Sequence, residues 1–189
     1  MNATLTQLPS PILVLGPAYC GKSAWSHQLL SPVSETHVLG TAPQGDPAFE
    51  KRIAALQSLR PPAWESRHVG SDLSLALGDT LGRQPPCPQI LIDSVSQWIA
   101  VLILTLQSTC EDDLEAKVTE RLNEFLRVAK TYGSTRLVMV SAEVGGGPSS
   151  PRPMERLYRQ MVGLANQRIA SLSASVVNIQ AGLPQFLKR

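Results

Sequence analysis

The run Gly16-Pro17-Ala18-Tyr19-Cys20-Gly21-Lys22-Ser23 follows directly on the apolar stretch Ile12-Leu13-Val14-Leu15. This is a G-x-x-x-x-G-K-S phosphate loop in the setting it needs, after a strand and before helix-compatible residues (Ala24, Trp25, Gln28, Leu29, Leu30). A glycine-rich turn points successive backbone N–H groups inward and cradles an anion. The following helix adds its positive end. Lys22 is expected to reach the β- and γ-phosphates of a nucleoside triphosphate, and Ser23 to offer its hydroxyl to Mg²⁺. All eight loop residues are therefore candidate nucleotide contacts.

The rest of the chain alternates between strand and helix patterns. Ile12–Leu15, Thr36–Thr41, Ile90–Asp93, Leu137–Val140 and Ser175–Ile179 read as strands. Helices are expected over Ser23–Leu30, Pro47–Leu59, Asp72–Leu81, a long segment from Leu114 to Ala129, and Met154 to Ile169. Phe49, Ile53 and Leu56 share a face of the second of these. Arg60-Pro61-Pro62 stops that helix, Arg83–Pro88 is a proline-rich loop, and Gly145–Pro151 a flexible one. The alternation predicts an α/β fold: a mostly parallel sheet with helices on both faces, its ligand at the carboxyl ends of the strands.

Composition bounds the function. With 189 residues, 43% hydrophobic and 17% charged, the chain reads as a single globular nucleotide-binding domain. A net charge of +2 argues for neither nucleic acid nor a membrane surface as partner. The apolar stretch Trp98–Leu106 is far shorter than the roughly 20 residues needed to span a bilayer, and reads as a buried helix or a partner-facing surface. Met1–Ser10 has no basic start and no long apolar core, so no signal peptide is expected. Cys20, Cys87 and Cys110 are far apart, with no metal-ligand spacing. They fit a reducing, cytoplasmic setting.

Asp93 closes its strand, where an acid in a phosphate-loop protein supports Mg²⁺; the alternative is a helix N-cap. Glu143, just past Leu137–Val140, can hold metal, position a hydroxyl or contact a ribose. His27, His37 and His68 lie in no metal-ligand or nucleophile pattern. Cys20 sits inside the loop, where a helix start can lower a thiol's pKa, but it can equally be a small filler.

The order of these motifs resembles the bifunctional adenosylcobinamide kinase/adenosylcobinamide-phosphate guanylyltransferase family of cobalamin biosynthesis. The resemblance runs from Ile12 to Lys188. It rests on Gly16–Ser23, Thr41, Arg52-Ile53, Arg60-Pro61, Trp64, Asp93, Glu143-Val144-Gly145 with Gly147, Arg159, Gly163 and Asn166-Gln167. It implies a phosphate-loop, RecA-like sheet, usually in homo-oligomers. It adds Thr41, Arg60 and Trp64 to the nucleotide contacts, and makes Lys22, Asp93 and Glu143 the catalytic residues, with Ser23 and Asp93 on Mg²⁺. The implied chemistry is two-step: ATP or GTP phosphorylates the aminopropanol hydroxyl of adenosylcobinamide, and GTP then donates GMP through a guanylyl-histidine. The resemblance makes the corrinoid the second substrate.

At the position of the guanylylated histidine this chain has Ala55, followed by Leu56. His68 stands where the family commonly has Glu. Ala142, Ser149-Ser150 and Gln160 also depart from the pattern. Three readings stay open at this level: an adenosylcobinamide kinase without guanylyl transfer, a non-catalytic nucleotide-binding relative serving assembly or regulation, and an unrelated small-molecule kinase on the same scaffold.

Overall fold

A computed structural model describes residues 8–43, 45, 47–106, 110–147 and 150–189, without the side chains of Ala48, Phe49 and Arg52. In chain order the elements are β1 (Ile12–Leu15), α1 (Lys22–His27), β2 (Thr36–Gly40), α2 (Pro47–Gln57), β3 (Trp64–His68), α3 (Leu73–Leu81), β4 (Gln89–Asp93), α4 (Val95–Leu106), α5 (Glu111–Ala129), β5 (Arg136–Val140), α6 (Pro153–Leu172), β6 (Ser175–Gln180) and β7 (Leu183–Lys188). The strands form one sheet in the order β3-β2-β4-β5-β1-β6-β7. All pairings are parallel except β6 with β7.

The continuous apolar runs of the central strands are explained by burial on both sides. Leu13, Leu39, Ile90, Ile92, Leu137 and Met139 enter a large core with α3, α4, α5 and α6. Their neighbours Ile12, Val14, Val38, Leu91, Val138 and Val140 enter a smaller one with Trp25, Leu29 and Leu30 of the α1 region. The α5 stripe Leu114, Val118, Leu122, Phe125 and Ala129 is buried as its spacing predicts. Trp98 of α4 packs against Phe125 at 5.3 Å between ring centroids, and its indole N–H donates to the Ser71 carbonyl at 2.9 Å. Leu104 on the same apolar run stays 62% exposed, so only one face of that helix is core.

Several boundaries differ from the sequence expectation. α1 ends at His27, and the chain then tightens: Gln28, Leu29 and Leu30 N–H groups bond to carbonyls three residues back. Pro32 follows at once and cannot continue a helix. Met154 of the α6 stripe is exposed. In α2, Ile53 and Leu56 join neither core; Phe49, expected on the same face, lies outside the described side chains.

Two strands were not expected from sequence. β3 reads W-E-S-R-H and buries only Trp64; β7 buries almost nothing. Both lie at sheet edges, where one neighbour suffices and no apolar alternation is required. β6 and β7 are joined by the two-residue turn Ala181-Gly182, with φ of 51° and 80°. Positive φ at both central positions marks a type I′ hairpin, and Ala carries a steric cost there that Gly does not. Ala181→Gly is therefore expected to stabilise by about 1 kcal/mol. Thermal unfolding should show a rise in Tm of roughly 2–4 °C.

Candidate functional site

Gly16 opens the phosphate loop with φ +149°, packed so tightly that an added side-chain carbon would fall 2.3 Å from the Ile179 carbonyl oxygen and 2.7 Å from Cys20 Sγ. Gly21 closes it with φ +95°, directly before α1. Between them Tyr19 takes φ 59° and exposes its ring. The back of the loop is held by the C-terminal hairpin, through a bond from Gly182 N–H to the Cys20 carbonyl at 2.9 Å. The front is held by Glu143, whose N–H donates to the Gly16 carbonyl at 2.9 Å. Cys20 is a buried filler against Gly16, and Lys22 Nζ lies 3.9 Å from its sulfur.

Lys22 arches over the loop and donates from Nζ to the Pro17 carbonyl at 2.7 Å. Ser23 Oγ donates to Asp93 Oδ1 at 3.3 Å, across β5, which separates their strands. Hydroxyl and carboxylate are hard oxygen donors of the kind Mg²⁺ takes, so the pair fits that ion. Thr41 is fully buried: its hydroxyl donates to the Ser94 carbonyl at 2.6 Å and accepts the Ser94 N–H at 3.0 Å, fixing the chain just after Asp93. Glu143 is exposed and its Oε1 accepts the Gly145 N–H at 2.8 Å. The loop beyond is tied to α6 by Arg159, which donates to the Gly145 and Gly147 carbonyls at 3.1 and 2.6 Å, and by Asn166, which donates to the Ala142 carbonyl at 3.0 Å.

Several of these groups border a cleft of about 360 Å³ at the carboxyl end of the sheet. Ala18, Tyr19, Lys22, Ser23, Arg60, Asp93 and Glu143 line it. Its far wall was not foreseen: Val38, Ile53 and Leu56 make it apolar, while Ser66, Arg67 and His68 of β3 make it basic. Ser96 and Tyr158 close the remaining side, with the phenol hydrogen-bonded to Ser96; burial holds the Tyr158 pKa above its ordinary value, so the ring enters as a neutral phenol. Single polar residues on amphipathic helices give no sequence signal of this kind.

Two expected contacts lie elsewhere. Trp64 is buried in the smaller core, its ring edge-on to His27 at 5.2 Å and its N–H donating to the Ser31 carbonyl at 3.3 Å. Thr41 stands behind the lining, acting on Ser94. Arg60 does border the cleft, donating to Ser66 Oγ at 2.6 Å, while its buried Nε has no partner among the described residues. Burial lowers the Arg60 pKa and the Asp93 charge opposes that shift. Ala55 is exposed on α2 and outside the lining; Leu56 is within it. Gln160 turns away, donating to Glu115 at 2.9 Å. Ser149 lies outside the described residues.

Gly16→Ala must displace backbone, and a loss of about 3 kcal/mol is expected. A lower denaturant midpoint together with lost nucleotide affinity would verify it. His27 supplies a pH dependence. Burial, then the Arg60 charge, lowers its pKa from 6.5 to about 4. The unfolded chain takes up this proton first, so the contribution is intact above pH 6.5 and is lost as pH falls toward 4. His27→Phe should flatten the fall of Tm across that window, in melts at matched ionic strength.

Comparison with known proteins agrees with this geometry. The chain is 29% identical over 178 residues to the bifunctional adenosylcobalamin biosynthesis protein CobP of Pseudomonas aeruginosa, covering 93% of this chain and 96% of that one. It is 23% identical over 183 residues to the bifunctional adenosylcobalamin biosynthesis protein CobU of Salmonella typhimurium, covering 94% and 99%. Among solved structures, a prototypical ATPase of a type III secretion system superposes with a TM-score of 0.54 at 10% identity, over 93% of this chain and 56% of that one. That likeness extends to the phosphate-loop α/β fold. The sequence profile of the CobU family, cobinamide kinase / cobinamide phosphate guanyltransferase, matches residues 12–187. The chain therefore belongs to this family of nucleotide-using enzymes of cobalamin biosynthesis.

Proposed function

We propose that this chain, as one nucleotide-binding domain, carries out the kinase half of the family's chemistry and has lost the guanylyl-transfer half. The reaction is phosphorylation of the aminopropanol hydroxyl of adenosylcobinamide by ATP or GTP. The observation that carries the reading is the asymmetry of the cleft. Lys22, Ser23 and Asp93 stand together at the phosphate loop, whereas Ala55 is an exposed methyl and Leu56 an apolar lining residue.

The acceptor oxygen attacks the γ-phosphorus, the bond to the β-γ bridging oxygen breaks, and the nucleoside diphosphate leaves. The hydroxyl proton passes to the carboxylate of Glu143, which the Gly145 N–H orients. Loop N–H groups and Lys22 counter the charge on the transferring group, so positioning and electrostatics supply most of the catalysis. Ser23 and Asp93 would hold Mg²⁺, which neutralises phosphate charge when bound. The apolar wall of Val38, Ile53 and Leu56 suits the bulk of a corrinoid, and Arg60 and Arg67 suit an anionic substrate group. Trp64 and Thr41 act as supports for Arg60's surroundings and for Ser94.

Among the described residues no helix is long and apolar enough to cross a membrane. A cytoplasmic homo-oligomer, as the resemblance implies, is part of the proposal; sedimentation at micromolar concentration reports the assembly.

The test incubates the protein with adenosylcobinamide, Mg²⁺ and either γ-labelled ATP or GTP, then with α-labelled GTP. Label from the γ-position should reach the corrinoid, and none from the α-position should reach protein. Lys22→Ala and Asp93→Asn should each reduce transfer by at least about 100-fold. Label on protein from α-GTP would contradict the loss of guanylyl transfer and direct attention to His68, the histidine in the cleft lining. Nucleotide binding without any transfer would instead favour the non-catalytic relative.

A further inference from the structure

At the opposite end of the sheet, where β2, β3 and β4 begin, a second group of polar side chains meets. Glu35 precedes β2, His37 lies in it, Glu65 pairs with His37 across β3, and Cys87 precedes β4. The Glu35 carboxylate, a His37 ring nitrogen and Cys87 Sγ all fall within 4.8 Å of one another. His37 and Cys87 are each 3% exposed. They are 50 positions apart in sequence, which is why no ligand spacing is visible there.

The Nε2 side of His37 is contested by an acceptor and a donor. Nε2 lies 2.8 Å from Glu35 Oε1 and 2.8 Å from Arg83 NH1. Arg83 can only donate, which needs a bare Nε2, whereas a bond to Glu35 needs a proton on that nitrogen, so one ring state does not serve both contacts. With Nε2 bare toward Arg83, the ring proton sits on Nδ1, 3.4 Å from Glu65 Oε2. In that tautomer Nε2, the Glu35 oxygen and Cys87 Sγ converge beside the half-exposed Arg83 guanidinium, while the Cys87 thiol donates to the Gln89 carbonyl at 3.1 Å.

We propose that this cluster is a structural site for a divalent transition metal of the zinc type. A nitrogen, a thiolate sulfur and a carboxylate oxygen form a ligand set that zinc accepts, leaving a fourth position to water. Glu65 on the far nitrogen of His37 is the carboxylate that such histidine ligands use to fix their tautomer. Binding releases the Cys87 thiol proton to solvent, and Arg83, on the protein rim, swings away. The metal would tie the loop before β4 to the starts of β2 and β3. It is independent of the nucleotide site.

The experiment titrates Co²⁺, then Zn²⁺, into the reduced, nucleotide-free full chain and follows absorbance and Tm. One Co²⁺ per chain with a thiolate charge-transfer band, displaced by Zn²⁺ and accompanied by a higher Tm, is expected. Cys87→Ser should abolish the band. Because a buried substitution can disturb folding, Glu35→Gln at an exposed position should weaken binding at least about tenfold, and Glu65→Gln by about tenfold. Arg83→Ala should tighten binding. Cys110→Ser should leave the band intact. Absence of a thiolate band, or a band lost with Cys110 and kept without Cys87, would overturn the proposal.

Discussion

The absence of a side chain at Gly16 is the constraint on which the site depends. β1 lies between β5 and β6, and the chain must turn out of the sheet against the β6 backbone. With the Ile179 carbonyl oxygen 2.3 Å from where a side-chain carbon would be, only glycine leaves the strand in that direction. Everything downstream inherits the result. The turn closes at Gly21, Lys22 arches over it, and Ser23 starts α1 within reach of Asp93. The two cores hold β1 and β4 on either side of β5, which sets the distance that Ser23 and Asp93 must span.

Charge is distributed over the cleft by the same logic. Carboxylates come from strand ends: Asp93 closes β4, and Glu143 follows β5. Cations come from the loop, as Lys22, and from the wall around β3, as Arg60 and Arg67. Arg60 is held in a partly desolvated position where the Asp93 charge favours its charged form, while it helps to keep His27 neutral.

The centre of the fold was legible because burial on both faces writes itself into composition. Ile12–Leu15 and Ile90–Asp93 are apolar runs with a functional residue at their ends, and the phosphate loop has few other uses. The edges were not legible. Trp-Glu-Ser-Arg-His carries one buried residue in five, and Leu183–Lys188 even less, so period and propensity are silent. Because β3 escaped notice, Arg67 of the cleft wall did too, His68 fitted no pattern, and Trp64 was expected at the nucleotide while its ring packs in the smaller core. The meeting of Glu35, His37 and Cys87 depends on strand register, which no local pattern encodes.

The two walls of the cleft differ in how firmly they are held. The phosphate loop springs from β1, bonded to strands on both sides, whereas β3 among the described strands is bonded to β2 alone. An outer strand with one ladder and mostly exposed side chains opens at far lower free energy than a central one. The cleft thus has one firm wall and one that yields at lower cost. On the reading proposed above, nucleotide phosphates would lie against the firm wall and the acceptor against the yielding one.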